Sequence, residues 1–173
     1  LIILGYLVAV NYSIGLKLKD KVMGNYLNIA IFYGPFAFLY GFFTSTNDIS
    51  LLIKNWWIVL FVFLMDMGFA VTKDYEDVRG DKLLGKKTLP AVYGKEISLL
   101  YQFLVINITF CIVMLLVALK KISIKYILLG IPYLIAYLVI RKVYFTNDAK
   151  EYHKAHNMIR VNALASRFMI AII

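Results

Sequence analysis

The sequence predicts an all-α protein, a multi-spanning transmembrane helix bundle, on three observations. Hydrophobic residues make up 62% of the chain and aromatic residues 16%, whereas soluble domains contain about 45–50% apolar residues. The mean hydropathy is +0.77. The apolar residues form long unbroken runs, whereas a transmembrane β-barrel shows alternating segments of roughly ten residues. These runs therefore predict helices that cross a lipid bilayer.

Six apolar segments divide the chain, and we interpret them as the spans of one membrane-embedded helical domain. Two of them, 23–43 and 97–119, have the roughly 20 residues that a helix needs to cross the hydrocarbon core. Since the chain begins and stops inside apolar runs, we expect the domain, residues 1–173, to be truncated at both ends. The predicted spans are residues 1–10, 23–43, 56–71, 97–119, 122–140 and 158–173.

The basic residues predict which loops face the cytoplasm. Thirteen of the 19 lysines and arginines fall in the first, third and fifth loops between the predicted spans, and four fall in the second and fourth. Cytoplasmic loops are enriched in lysine and arginine, so we expect the odd-numbered loops to face the cytoplasm of a multi-pass cell-membrane protein. This bias and the attraction to anionic headgroups explain the net charge of +9. We expect membrane lipid as a partner and no nucleic acid.

The third loop carries a cluster of carboxylates. Four of the ten acidic residues lie between Asp74 and Asp81. Asp74, Asp77 and Asp81 are spaced by three and four residues, so a helix would place them on one face. Mg²⁺ usually binds one or two carboxylates together with substrate phosphates. The remaining phosphate charge could be bound by the neighbouring Lys73, Arg79, Lys82, Lys86 and Lys87. The cluster favours a divalent metal and a phosphorylated substrate, with a solvated, salt-bridged helix end as the alternative.

Two further sets of charged residues lie outside this cluster. Asp66 is inside the third apolar segment, where an acid is costly and indicates a functional site; a helix-joining hydrogen bond is the alternative. Arg160 and Arg167, seven residues apart on one face of the last segment, either pair with Asp66 or line the same cavity. His153 and His156 are interpreted as interfacial or solvated, since no cysteine accompanies them.

The carboxylate cluster and its flanks resemble a known family. Residues 74–81, Asp-Tyr-Glu-Asp-Val-Arg-Gly-Asp, followed by Gly85 and by Thr-Leu-Pro-Ala-Val-Tyr-Gly at 88–94, are similar to the second aspartate-rich motif of the UbiA-type intramembrane prenyltransferases. The segment 12–17, with Gly24-Asn25 after it, resembles the region upstream of that motif. The resemblance covers residues 6–96, and within the family it points to the digeranylgeranylglyceryl phosphate synthase-like members.

The resemblance implies a bundle of about nine spans in the full protein. It implies transfer of an isoprenyl group from an isoprenyl diphosphate to an aromatic or other hydrophobic acceptor, with Mg²⁺ as cofactor. Quinone, prenyl-pigment and ether-lipid biosynthesis all stay open, because the sequence does not name the acceptor. The implied roles are metal binding by Asp77 and Asp81, an auxiliary catalytic carboxylate at Asp74, a place near the reacting end of the donor for Tyr12, and substrate binding by Lys17, Lys73, Arg79 and Asn25.

The chain departs from the family pattern in two places. The family's first motif, an Asn-Asp followed by further aspartates, is missing, because neither Asn47-Asp48 nor Asn147-Asp148 has the following carboxylates. We therefore expect that motif to precede the first residue, and this fragment alone to be inactive. Relatives that make archaeal ether lipids often carry Arg-Glu where this chain has Phe69 and Ala70.

Two other functions are compatible with the sequence. One is a transporter or channel fragment, in which Asp66, Arg160 and Arg167 would line the pathway. The other is a membrane enzyme of the CDP-alcohol phosphotransferase type, but its aspartate motif needs Asp-Gly and Ala-Arg steps that residues 77–81 lack. The residue on which activity depends distinguishes these functions. An enzyme would need Asp77 to bind the metal, whereas a transporter would depend on Asp66.

Overall fold

The computed structural model describes residues 2–18, 21–46 and 48–172. Four residues of the predictions lie outside the described ranges. They are Leu1 and Ile173, at the outer ends of the first and last predicted spans, Lys19 of the first predicted loop, and Asn47 of one Asn-Asp pair. Throughout the described ranges the regular structure is helical, which confirms the predicted all-α class. The α-helices are α1 (Ile2–Ser13), α2 (Val22–Ile31), α3 (Ala37–Ser45), α4 (Ile49–Lys54), α5 (Trp56–Phe69), α6 (Asp74–Leu83), α7 (Leu89–Ala118), α8 (Gly130–Phe145) and α9 (Ala149–Ile172).

Four helical stretches among the described residues are long and apolar enough to cross a bilayer: 22–45, 56–83, 89–118 and 124–145. Most of them extend beyond the predicted spans, because apolarity marks only the part of a helix that lipid covers. The clearest case is the third, where a 3₁₀ turn, Ala70–Lys73, joins α5 to α6. The helix therefore continues past the predicted end of the span at residue 71 and carries the carboxylate cluster.

A π-helix, Phe32–Phe36, joins α2 to α3 and contains Pro35. Proline has no backbone N–H, and the wider π turn accommodates the resulting break in the hydrogen-bond ladder. The same turn contains Gly34, where an added Cβ would lie 3.0 Å from the Val62 carbonyl oxygen and 3.1 Å from Asp66 Oδ2. Glycine at this position therefore permits α2 and α3 to approach α5 at the level of Asp66.

A membrane-depth ion pair joins α5 to α9. Arg167 Nη2 lies 2.6 Å from Asp66 Oδ1 and 2.7 Å from Oδ2, and it also donates to the Tyr33 carbonyl oxygen at 3.3 Å. The buried Asp66 thus pairs with an arginine of the last predicted span, one of the two arrangements expected from the sequence. Of the two candidate arginines, Arg167 takes this place, and Arg160 remains exposed on α9.

A buried polar network fixes the aspartate segment to α7. Gln102 Nε2 donates to Thr72 Oγ1 at 2.6 Å, and the Tyr75 hydroxyl donates to Gln102 Oε1 at 3.3 Å. All three side chains are buried. Because buried polar groups are costly unless they are paired, this network favours one rotational setting of α6 against α7.

We predict that Asp66→Asn lowers the stability of the protein by about 2 kcal/mol, because the guanidinium of Arg167 then lies among apolar helices without its counter-ion. This estimate is below the usual range for a buried pair, since the Arg167 side chain is 33% exposed. Thermal unfolding in lipid nanodiscs measures the loss. The double variant Asp66→Asn/Arg167→Gln should recover part of it, and additive losses in the two single variants would contradict a direct pair.

Candidate active site

The three predicted aspartates lie on α6 at the end of a long apolar stretch. Asp74 and Asp81 are buried, at 7% and 4% exposure, while Asp77 is exposed. The helical spacing expected from the sequence is present, but the neighbours of the three side chains differ. Two carboxylates are therefore held by the protein, and one is open to a ligand.

Asp74 is fixed by a tyrosine from α2. The hydroxyl of Tyr26 donates a hydrogen bond of 2.5 Å to Asp74 Oδ2, and it accepts one of 2.9 Å from the backbone N–H of Leu89. Tyr26 is completely buried. One hydroxyl therefore connects α2, the start of α6 and the start of α7, which fixes the position of the first carboxylate.

Asp81 is held by the loop between α6 and α7. Its Oδ2 accepts from Thr88 Oγ1 at 3.1 Å, and its Oδ1 lies 3.2 Å from Lys86 Nζ. The backbone N–H of Lys86 also bonds to the Asp81 carbonyl oxygen at 2.9 Å. Gly85 has a φ of +66°, in the left-handed region that glycine adopts at low cost, and this turns the chain back toward Asp81.

Lys86 connects the three aspartates electrostatically. The hydrogen bond and charge of Asp81 raise the pKa of the Lys86 ammonium, and the charges of Asp77 and Asp74 raise it further. The three carboxylates therefore act on one cation at the end of the bundle. The same concentration of negative charge would attract a divalent cation.

The predicted residues Tyr12, Lys17 and Asn25 lie on α1, on α2 and between them. The Tyr12 hydroxyl donates to Asn25 Oδ1 at 3.0 Å, which joins α1 to α2. Lys17 follows α1 with a φ of +48° and is exposed, as are Lys73 and Arg79. In the described part of the chain no hydrogen bond joins the Tyr12–Asn25 pair to the aspartates. The structure thus places the predicted residues in two groups.

The aspartates suit a magnesium ion that shares its coordination with a substrate. Over the described ranges, no three side chains of His, Cys, Asp or Glu are grouped as a complete metal site. Mg²⁺ does not require such a group, because it usually retains waters and takes one or two carboxylates plus substrate phosphates. Of the two predicted metal ligands, Asp77 is exposed and open to an ion, whereas Asp81 lies one turn further along the same helix and its two oxygens contact Thr88 and Lys86.

Sequence reasoning missed the residues that hold the carboxylates. Tyr26 lies inside an apolar run, where nothing in the pattern distinguishes it from the other tyrosines. Thr88 is part of the predicted motif and Lys86 is one of the lysines predicted to bind phosphate, but neither was predicted to contact Asp81. The offset of seven residues between Asp81 and Thr88, separated by a glycine turn, is the one local signal that could have indicated this contact.

Comparison with known proteins identifies the family. A model described as the UbiA prenyltransferase family matches residues 1–163 of the chain. The chain belongs to the UbiA prenyltransferase family. This confirms the resemblance based on the aspartate motif, and the long apolar helices agree with an integral membrane protein.

Three curated relatives carry the name digeranylgeranylglyceryl phosphate synthase. The protein of Methanosphaera stadtmanae is 30% identical over 172 residues, 94% of this chain and 58% of its own length. That of Methanobrevibacter smithii is 24% identical over 161 residues, 93% of this chain and 56% of its own. That of Methanopyrus kandleri is 46% identical over 43 residues, 25% of this chain and 16% of its own.

The chain therefore spans just over half the length of the two relatives that it matches along most of its own length. The relatives bear the name of the family members to which the aspartate motif pointed. No solved structure matches this chain significantly.

We predict that Tyr26→Phe destabilises the protein by about 1–3 kcal/mol, because it leaves the Asp74 carboxylate and the Leu89 N–H buried without this partner. Tyr40→Phe is the matched control, since that tyrosine is 55% exposed. Thermal unfolding in nanodiscs compares the two. Equal melting temperatures for both variants would show that the Tyr26 hydroxyl does not hold the aspartate helix.

Proposed function

We propose that the protein to which this chain belongs is a membrane prenyltransferase. It transfers an isoprenyl group from an isoprenyl diphosphate to a lipid acceptor in ether-lipid biosynthesis, with Mg²⁺ as cofactor. The observation that carries this proposal is the aspartate helix α6, which places Asp74, Asp77 and Asp81 at the end of an apolar stretch. Membership of the UbiA prenyltransferase family supports it.

The names of the relatives suggest which donor and which acceptor the protein uses. A digeranylgeranylglyceryl phosphate carries two geranylgeranyl groups on a glyceryl phosphate. The reaction class therefore suggests geranylgeranyl diphosphate as donor and a glyceryl phosphate with one geranylgeranyl chain as acceptor. This favours a lipid over the aromatic acceptors that the sequence left open, despite Phe69 and Ala70 at the place of the Arg-Glu pair.

The proposed reaction breaks the bond between the allylic carbon of the donor and the diphosphate oxygen, which keeps the electron pair. A new carbon–oxygen bond forms to the acceptor hydroxyl, and the hydroxyl proton is released. Mg²⁺ held by Asp77 and Asp81 would neutralise the charge of the departing diphosphate.

The residues of the chain would contribute binding and orientation. The exposed Lys17, Lys73 and Arg79 provide positive charge for phosphate oxygens, while Asn25 orients Tyr12 near the reacting end of the donor. Asp74, held by Tyr26, serves as the auxiliary carboxylate. The apolar helices exclude water from the reacting carbon.

We further propose that the aspartate end of the bundle faces the cytoplasm and that residues 1–173 belong to one membrane-embedded domain. The support is the excess of lysine in the loop that carries Lys82, Lys86 and Lys87. Soluble diphosphate and Mg²⁺ would reach the site from that side. The isoprenyl chain would enter from the lipid.

Neither alternative function is favoured by the structure. The transporter hypothesis depended on Asp66, which pairs with Arg167 between α5 and α9, as a structural contact would. The chain lacks the aspartate motif of the CDP-alcohol phosphotransferases, and its family assignment is to a different group of enzymes. One function is therefore proposed.

We expect the full-length protein in nanodiscs to transfer labelled geranylgeranyl groups only when Mg²⁺ is present. Asp77→Asn should lower the rate by about 100-fold or more, because it weakens electrostatic stabilisation of the leaving group. The exposed Glu96 of α7 provides the control variant Glu96→Gln, which should retain wild-type activity. A panel of lipid and aromatic acceptors identifies the acceptor class.

The proposal fails if folded wild-type protein transfers the isoprenyl group to none of the acceptors when Mg²⁺ is present. Transport assays of Asp66 variants would then be the next measurement. Activity in Asp77→Asn equal to that of wild type would instead remove this residue from the proposed metal site while leaving the reaction in place.

A further inference from the structure

Helix α9 carries a row of basic side chains on one face. His153, His156, Arg160 and Arg167 are separated by three, four and seven residues, so they point in similar directions from the helix. We call this set the basic stripe. It begins near the polar start of α9 and extends into its apolar part.

Both ends of the basic stripe are attached to the span that bears the aspartates. His153 Nδ1 lies 3.0 Å from Glu76 Oε2 on α6, and Arg167 is paired with Asp66 on α5. Residue numbers rise along α9 as they fall along α5 and α6, so the two segments are antiparallel. The stripe therefore runs along the edge of the contact between α9 and these two helices, where His153 and Arg160 are exposed.

These two contacts fix the level of Arg160. It is seven residues from each end of the stripe, which corresponds to about 10 Å along a helix. Halfway between Asp66 and Glu76 on the opposite segment is the 3₁₀ turn Ala70–Lys73. Arg160 consequently lies at the level where the aspartate helix begins.

Arg160 has no partner of its own in the described structure. Its side chain is exposed, and across residues 2–18, 21–46 and 48–172 no carboxylate lies within ion-pair distance of it. An exposed arginine without a counter-ion can bind an anionic group through its planar guanidinium. Since Arg167 already pairs with Asp66, Arg160 is the arginine of the stripe that is open to a ligand.

His156 lies beside Arg160 on the stripe and is also incompletely bonded. Its Nδ1 is buried, and no hydrogen-bond partner for it exists in the described part of the chain. Burial lowers the pKa of His156, the charge of Glu76 opposes this effect, and the charges of Arg160 and Lys73 lower the pKa further. Helix α9 packs against the 3₁₀ turn Ala70–Lys73, so Lys73 lies on the segment opposite His156 and Arg160.

We propose that Arg160, with His156 and Lys73 beside it, binds a phosphate group of the substrate. The proposal rests on the proposed function, which supplies phosphates from two sources: the donor diphosphate, and the phosphate that the lipid acceptor retains. A guanidinium binds two phosphate oxygens at once through its planar fork, which an ammonium cannot do. His156 Nδ1 and the Lys73 ammonium supply additional polar contacts for the same group.

The test compares Arg160→Gln and Arg160→Lys in the full-length protein in nanodiscs. Arg141→Gln is the matched control, since Arg141 is also exposed and lies near the end of α8. KM and kcat are measured separately for geranylgeranyl diphosphate and for a geranylgeranylglyceryl phosphate acceptor. We expect Arg160→Gln to raise one KM by roughly tenfold to a hundredfold, as for the loss of a charged hydrogen bond, with a smaller rise in Arg160→Lys.

The substrate whose KM rises identifies the source of the phosphate, and a rise for either supports the proposal. Wild-type KM values for both substrates in every folded Arg160 variant would overturn it. If Arg160→Gln does not fold, Arg160→Lys is judged by the same criterion.

Direct binding of the two substrates, measured by calorimetry, separates this inference from the proposed function. If the wild-type protein shows no transfer, the proposed function fails. In that case, binding of either substrate that Arg160→Gln weakens still supports the phosphate site. Binding that is undetectable in wild type, or equal in the variant, overturns it.

Discussion

The hydrogen bond between Tyr26 and Asp74 connects three parts of the bundle that are distant in sequence. The Tyr26 hydroxyl donates to the aspartate and accepts from the first N–H of α7. Without it, a buried carboxylate and a buried backbone N–H would both lose this partner, which is costly in an apolar interior. The position of α6 relative to α2 and α7 depends on this contact, and so does the geometry of any metal site on α6.

The membrane explains why so much of the polar chemistry is concentrated at one end. Inside the bilayer a charged group needs a partner, and Asp66 and Arg167 provide this for each other. At the end of the bundle Asp77 is open to water and ligands, and Lys86 offsets part of the repulsion among the three carboxylates. The helical stretch from residue 56 to residue 83 thus has an apolar part, α5, that packs against other helices, and a polar part, α6, that carries the proposed metal ligands.

Much of the architecture could be predicted from the sequence, because long apolar runs admit few structures in a bilayer. The helical class and the shared helix of the aspartate residues followed from periodicity and spacing, and the family followed from residues 74–94. The helices continue beyond the predicted spans, because hydropathy does not register a polar helix such as α6. The partners of the carboxylates were missed, since contacts between residues as distant as Tyr26 and Asp74 depend on how helices pack. Which of the two arginines pairs with Asp66 also depends on how the helices pack.

The proposed function requires that the carboxylates of α6 bind a diphosphate through Mg²⁺. The most direct test is calorimetric titration of geranylgeranyl diphosphate into the full-length protein in nanodiscs, with Mg²⁺ and then with the metal removed by chelation. The account predicts saturable binding that requires Mg²⁺ and is lost in Asp77→Asn. Binding of equal strength without the metal, or in Asp77→Asn, would contradict it.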